Sequence, residues 1–282
     1  MKQGYTILGI DDADSDDNIK AAYALSISLK LADPDRETCV VVTSFDDVPR
    51  EYSHGFDYIV ELPFGRTDAN HHDIMIDWWQ IYYCTPFTET MSIHNCSLAI
   101  DNIEMLWAQP NEVDIAFASS RDFRGTLRPD VERNVAQQRN DVPAFSANLV
   151  YFRKSYIASE FFKLADPVFQ NWRDVYRDIL TEYRPTDFDL DLMCNITADQ
   201  LGASYPVLEL FDYTNLKINF LFDPENDDQA PWQSQYICWI TDDLQVKINN
   251  HRQTGVFHYG DPEFLTKGIM QKVNDSFNKK TN

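Results

Sequence analysis

The sequence predicts an α/β protein built on one open, mixed β-sheet with helices on both faces. Strand and helix patterns alternate from the first residues onward, which is the element order of doubly wound sheets. One strand segment is a continuous apolar run, as expected for a strand that is buried on both faces. The chain has 282 residues, of which 44% are hydrophobic, so it can bury one large core.

The amino-terminal segment predicts a βαβ unit. Residues 5–10 have the composition of a strand, which stops at the acidic cluster of residues 11–18. Apolar residues then keep helical spacing over residues 18–32, and the Asp and Asn side chains just before them can cap the first amides of that helix. Residues 39–43, CVVVT, are the apolar run that predicts the second strand, joined to the first by a right-handed crossover.

The alternation continues to about residue 205. Further strands are predicted at residues 57–62, 90–93, 113–118 and 148–152, and further helices at residues 74–83, 100–107, 156–183 and 192–201. Residues 119–143 have no apolar periodicity and predict a long loop, which in compact domains is often functional. We therefore expect a core, residues 1–205, and a C-terminal extension, residues 206–282, that packs back on the core as a flap.

Charge and hydropathy exclude several classes of protein. The chain has 24 Lys and Arg against 45 Asp and Glu, a net charge of −21, which does not suit general binding to a phosphate backbone. No apolar stretch approaches the length of a membrane span, and the first residues turn acidic where a signal peptide would be apolar. The five cysteines are scattered without a C-x-x-C pair. These features predict a cytoplasmic protein without a membrane partner.

Residues 85–107, TPFTETMSIHNCSLAIDNIEMLW, resemble the central segment of the A-type glycosyltransferases related to glycogenin. In that family a strand is followed by an Asp-x-Asp motif and then by an Asn-Ile-Asp-x-Leu-aromatic stretch. Shorter similarities lie in residues 7–30, 39–43, 148–152 and 258–260. The resemblance implies a single Rossmann-like A-type glycosyltransferase domain that moves a sugar from a nucleoside diphosphate sugar, preferably a UDP-sugar, to a hydroxyl group.

The resemblance also implies a nucleotide-sugar site made of residues at several strand ends. Asp11 follows the first strand and is expected to contact the ribose, whereas Tyr23 would either stack on the base or pack in the core. The implied donor contacts are Asp11, Tyr23, His94, Asn95, Cys96, Asn148 and His258.

The expected metal ligands of the family are replaced in this chain. His94 and Cys96 stand where the two acidic residues of Asp-x-Asp would be, so no carboxylate pair is present to hold Mg²⁺ or Mn²⁺. We expect a site without a metal, in which amides and a cation hold the phosphates. The alternatives are a softer site of His94, Cys96 and His258, which would favour zinc, and a shifted alignment.

Three aspartates precede the predicted helix at residues 192–201. The family carries an acidic residue near the transferred sugar and the acceptor at this place, so the resemblance implies catalytic roles for Asp187, Asp189 and Asp191. Asp187 and Asp191 are four residues apart and would lie on one side of a helical turn. The alternative is that these aspartates cap the helix and stabilise its dipole.

The predicted loop at residues 121–139 is a local basic island in an acidic chain. It contains five Arg and three acidic residues, and we expect its guanidinium groups to contact the acceptor through Arg121, Arg124, Arg128 and Arg133. Residues 85–87 and 151–155 resemble phage-encoded members of the family, which favours a hydroxymethylated pyrimidine, 5-hydroxymethylcytosine, in phage DNA in the host cytoplasm. The alternatives are surface ion pairs for these Arg side chains, a protein or glycan acceptor, and a catalytically silent module that binds sugar nucleotides.

Overall fold

The computed structural model describes most of the chain. It covers residues 2–11, 17–66, 74–101, 103–108, 113–125, 140, 142, 145–204, 211–212, 217–220, 237–260 and 264–281. Within those ranges no helix is both long and apolar enough to cross a membrane.

The first half of the main sheet is parallel. In spatial order it contains β3 (Tyr58–Glu61), β2 (Glu37–Val42), β1 (Gln3–Leu8) and β4 (Glu89–Ile93). Helix α1 (Asp17–Ala32) connects β1 to β2, and its residues are buried on nearly every side. This burial follows from its neighbours, because α1 packs against the sheet and also against the C-terminal helix.

The second half of the sheet is mixed. Strand β7 (Ser146–Arg153) runs antiparallel between β4 and β6 (Ile115–Asp122), and β8 (Phe211–Asp212) pairs with β6. Beyond β6 the order continues with β9 (Lys217–Phe220), β13 (Gly255–His258) and β5 (Ser97–Ile100). A small antiparallel sheet contains β10 (Cys238–Ile240), β11 (Val246–Ile248) and β12 (His251–Arg252). The predicted α/β architecture with a mixed sheet is confirmed.

Helices cover both faces of the main sheet and complete two hydrophobic clusters. One cluster joins α1 to the C-terminal helix, and the other contains the buried Phe residues of the helix at 156–170. A 3-10 helix at Phe45–Asp47 follows β2, and another at Ile74–Gln80 leads into an α-helix that begins at Ile81. The remaining helices are α2 (Arg50–Ser53), α3 (Ile81–Cys84), α4 (Met105–Ala108), α5 (Tyr156–Gln170), α6 (Trp172–Ile179), α7 (Leu190–Ser204) and α8 (Lys267–Thr281).

Three predicted elements differ from the structure. The helix predicted at residues 100–107 is wrong in its first half, because Ile100 belongs to β5 and pairs with Gly255 of β13. The single helix predicted at residues 156–183 is divided into α5 and α6 at Asn171, whose backbone leaves the helical region. The loop predicted from residue 119 begins later, since β6 extends to Asp122.

The two predicted parts of the chain share one sheet. Strands β9 and β13 lie beyond residue 205 in sequence, and both pair into the sheet that begins with β1. The boundary at residue 205 stays a prediction.

Candidate functional site

The strand directions bring several predicted donor-binding residues to one edge of the main sheet. Strands β1, β4, β6 and β13 end at this edge, whereas the antiparallel strand β7 begins there. We call it the carboxyl edge. In open α/β sheets, ligands bind outside the carboxyl ends of the strands. Of the predicted donor contacts, the carboxyl edge holds Asp11, His94, Asn95, Cys96, Asn148 and His258.

Asp11 orders the start of α1. One oxygen of its carboxylate accepts hydrogen bonds from the backbone N–H groups of Asn18 (2.9 Å) and Ile19 (3.1 Å). These are the second and third residues of the helix, so Asp11 acts as a cap from outside the helix, where a negative charge stabilises the helix dipole. The side-chain oxygen of Asn18 in turn accepts a hydrogen bond from Asn95 Nδ2 at 2.9 Å, which ties the first turn of α1 to the turn after β4.

The turn after β4 fixes the orientation of His94. Its backbone N–H donates to Asn148 O at 2.9 Å, and its Nδ1 accepts from the backbone N–H of Cys96 at 3.2 Å. Because Nδ1 is an acceptor, the proton of the neutral ring is on Nε2. Burial lowers the pKa of His94 to about 4, so the imidazole is neutral at pH 7.

His258 meets His94 from the other side of the turn. The two rings are nearly perpendicular, with centroids 4.9 Å apart. His258 Nδ1 lies 3.1 Å from Ser97 Oγ, and the backbone N–H of Tyr259 donates to Cys96 O at 2.9 Å. The antiparallel register of β5 and β13, which places Ser97 opposite His258, produces this contact.

These side chains do not fit the divalent cation that the family resemblance implies. Mg²⁺ and Mn²⁺ prefer oxygen ligands, and the turn offers an imidazole and a thiol instead. Cys96 belongs to the hydrophobic core, with 3% of its surface exposed. Among the residues that the structure describes, no group of three or more His, Cys, Asp or Glu side chains is placed to hold a metal ion, so His94, Cys96 and His258 do not form one.

The three predicted catalytic aspartates occupy different environments. Asp191 is buried, and its Oδ1 accepts from the backbone N–H of Ala147 at 2.8 Å and lies 3.5 Å from Asn148 Nδ2. Asp189 Oδ1 accepts from the backbone N–H of Leu192 at 2.9 Å, which caps α7. Asp187 is exposed and precedes the helix. The expectation that Asp187 and Asp191 share a helical turn is therefore wrong, because α7 begins at Leu190.

Tyr23 lies apart from the other predicted donor contacts. Its ring is 2% exposed and packs between Tyr52 and Phe56 on the outer side of α1. Its hydroxyl group lies 3.1 Å from His54 Nε2 and donates to Asn274 Oδ1 at 2.9 Å. These contacts are the ones expected from the alternative in which Tyr23 packs in the core.

Of the basic island, the structure describes only residues 121–125. Arg121 Nη1 donates to Gly125 O at 3.0 Å, and the half-exposed Arg124 side chain lies over the ring of Phe123 and 4.0 Å from Asp122 Oδ2. Arg121 is the second-last residue of β6, and Arg124 follows that strand at the carboxyl edge. Arg128 and Arg133 lie outside the described residues, so their predicted contacts stay predictions.

Two polar residues of the site are not among the predicted contacts. Asn18 links Asp11 to Asn95, and Ser97 contacts the ring of His258. Their positions depend on strand pairing between distant segments, although the single Ser that opens the apolar run SLAI is a signal for a polar contact.

Known structures share this fold, whereas the sequence itself matches no protein-family model and no curated protein. The galactosyltransferase LgtC, in a complex with donor and acceptor sugar analogs, has a TM-score of 0.53 at 12% identity, over 98% of this chain and 95% of that one. An active-site mutant of LgtC has a TM-score of 0.53 at 14% identity, over 97% and 95% of the two chains.

The apo form of mouse xyloside xylosyltransferase 1 gives the same TM-score of 0.53. It is 13% identical and aligns over 92% of this chain and 98% of that chain. The alignments span nearly the whole of this chain, so they include the C-terminal strands that complete the carboxyl edge. The chain therefore has the A-type glycosyltransferase fold.

Proposed function

We propose that the protein is a glycosyltransferase that uses a nucleoside diphosphate sugar, preferably a UDP-sugar. The observation that carries this proposal is the meeting of Asp11, Asn95, His94 and His258 at the carboxyl edge, in the fold of sugar-transferring enzymes. The LgtC structure was determined with donor and acceptor sugar analogs, which supports a nucleotide sugar as the ligand of this fold.

In this proposal the residues of the carboxyl edge have separate roles. Asp11 lies beside the nucleoside, and the turn of His94 to Cys96 together with His258 lies beside the diphosphate. Asp191 is the aspartate proposed to act on the sugar and acceptor, because its carboxylate lies within 3.5 Å of the side chain of Asn148 at this edge. The acceptor oxygen forms a bond to the anomeric carbon, the bond from that carbon to the diphosphate breaks, and the hydroxyl proton is released.

The proposed acceptor is a hydroxymethylated pyrimidine, 5-hydroxymethylcytosine, in phage DNA. The support is the basic island, whose described residues Arg121 and Arg124 lie at and just after the end of β6 at the carboxyl edge, and the similarity of two segments to phage-encoded enzymes. A buried base must leave the stack to reach such a site, which costs a few kcal/mol. The net charge of −21 opposes long-range attraction of DNA, so the contact must be local.

Calorimetry tests the donor. UDP, GDP, ADP and CDP are titrated separately into the protein, and any that binds is then offered as nucleotide sugars in an assay of diphosphate release. We expect UDP to bind most tightly and a UDP-sugar to release UDP when the acceptor is present. Absence of binding by every nucleotide would overturn the proposal. Binding without turnover on any acceptor would favour the silent module.

Mass spectrometry tests the acceptor. The protein is incubated with nucleotide sugars and DNA that contains either 5-hydroxymethylcytosine or cytosine, and the digested nucleosides are weighed. We expect a hexose or pentose shift only with the hydroxymethylated DNA. The double variant Arg121→Ala and Arg124→Ala should reduce the shift, whereas Arg177→Ala, which removes an exposed Arg of α6, should not. Modification of proteins or glycans without DNA modification would favour the alternative acceptors.

A further inference from the structure

In the structure, the side chain of His94 presents a hydrogen-bond donor at the position where the family resemblance implies a metal. Its Nδ1 is occupied by the backbone N–H of Cys96, so Nε2 carries the proton of the neutral ring. Within the part of the chain that the structure describes, the protein provides no hydrogen-bond partner for this Nε2–H group, and the side chain is only partly buried. A donor of this kind is suited to an anionic oxygen.

The ring of His94 is held before any ligand arrives. Its backbone N–H donates to Asn148 O of β7, and its Nδ1 accepts from the backbone N–H of Cys96. The ring of His258 packs against it with an angle of 88° between the two ring planes. Ser97 in turn fixes His258 through a 3.1 Å contact. Donors that are already oriented lose little entropy when they bind a ligand.

We infer that this edge binds the diphosphate of the donor through hydrogen bonds from the protein, with His94 Nε2–H as a direct contact, and without a divalent cation. The inference rests on the proposed function, since it names how the same site holds the diphosphate. It follows from the replacement of oxygen ligands by a neutral nitrogen donor and a buried thiol. A cation that prefers oxygen gains nothing from these groups, whereas a phosphate oxygen accepts from the imidazole.

Calorimetry with UDP tests the inference. The wild-type protein is titrated in EDTA and again in Mn²⁺, and we expect dissociation constants within about twofold of each other. His94→Ala should weaken UDP binding by about 10-fold or more, the loss of one hydrogen bond to a charged group. His94→Gln should keep most of the affinity, because its side-chain amide can donate from a position close to that of Nε2.

Two controls separate a contact with phosphate from a general effect of the substitution. His251→Ala replaces an exposed histidine of β12 and should leave UDP binding unchanged. Uridine has no phosphate, so its affinity should be the same for wild type and His94→Ala. Thermal melts establish that each variant is folded.

The outcomes distinguish this inference from the proposed function. UDP binding that requires Mn²⁺ would overturn the metal-free site and leave the glycosyltransferase proposal intact. If a folded His94→Ala protein lost affinity for uridine and for UDP equally, the proposed contact with phosphate would be overturned. Absence of nucleotide binding under both conditions would overturn the proposed function itself.

Discussion

The two edges of the main sheet hold their carboxylates in different ways. At the amino edge, where β1, β2 and β4 begin, acidic side chains pair with cations: Lys2 with Glu37, Lys30 with Asp57, Arg36 with Asp33 and Arg153 with Asp114. At the carboxyl edge, Asp11, Asp189 and Asp191 accept hydrogen bonds from backbone N–H groups.

The two arrangements constrain the carboxylates in different ways. In the amino-edge pairs, each carboxylate is balanced by a cation of the protein. At the carboxyl edge, backbone N–H groups orient the carboxylates of Asp11, Asp189 and Asp191.

The largest expected effect is at the amino edge. Asp33 is buried, accepts from Tyr5 Oη at 2.6 Å and pairs with Arg36 at 2.8 Å. Asp33→Ala removes the anion of this ion pair and the acceptor of the Tyr5 hydroxyl proton, while Gln3 still accepts from Arg36, so we expect the free energy of unfolding to fall by about 3 kcal/mol. Urea denaturation measures this loss. Asp35→Ala removes an exposed neighbour and should change stability little; a similar small change for Asp33→Ala would refute the distinction between the edges.

A smaller effect on stability, joined to a large effect on activity, is expected at Asp191. Asp191→Ala removes the acceptor of the Ala147 N–H group, which costs about 1–3 kcal/mol. Asp191→Asn retains an oxygen acceptor and should fold nearly as well as wild type, yet lose sugar transfer by more than about 10-fold if the carboxylate charge acts on the substrate. Full activity of a folded Asp191→Asn protein would assign this residue to structure alone.

Loss of the cap at Asp11 is expected to cost less. Asp11→Ala removes the acceptor of two amides at the start of α1 and should lower the free energy of unfolding by about 1 kcal/mol. Thermal and urea unfolding measure the change, with Asp47→Ala, the exposed capping-box residue of a 3-10 helix, as a comparison. If Asp11 also contacts the nucleoside, uridine binding weakens in Asp11→Ala and not in Asp47→Ala.

The smallest effect is a pH dependence at the amino edge. Burial alone would raise the pKa of Asp57, but hydrogen bonds from Lys30 and from Thr38 outweigh it and lower the pKa. A lowered pKa in the folded state gives stability that is present above the unfolded value of about 3.9 and is lost as pH falls through the folded value. Asp57→Asn should therefore lose a few tenths of a kcal/mol at pH 7 and less at pH 3. An equal loss at both pH values would contradict the ion pair as its cause.

The fold was largely predictable because its strands carry strong local signals. All of the run CVVVT except its final Thr lies in β2, and the alternation of elements predicts the mixed sheet. The sequence was ambiguous at residues 97–107, where the short apolar run SLAI suits either a helix or a strand. Pairing with β13 decides that β5 forms there, and this partner is distant in sequence.

One element that was not predicted, the C-terminal helix, does have a local signal in the sequence. Helix α8 has apolar residues at helical spacing, Ile269, Val273 and Phe277, within a sequence rich in Lys and Asn. Other features had no local signal. The burial of Asp191 depends on the approach of β7 to the start of α7, and the capping role of Asp11 depends on the position of its carboxylate beside the first turn of α1.

The antiparallel strand β7 has a consequence for how the protein acquires its site. It delivers its first residues to the carboxyl edge, where Asn148 meets the turn after β4, while His258 arrives from the far end of the chain. Contacts between such distant segments form late in folding, because long loops must close first. A chain that lacks β13 would therefore lack His258 and its packing against His94, although the other residues named at this edge precede β13 in the sequence.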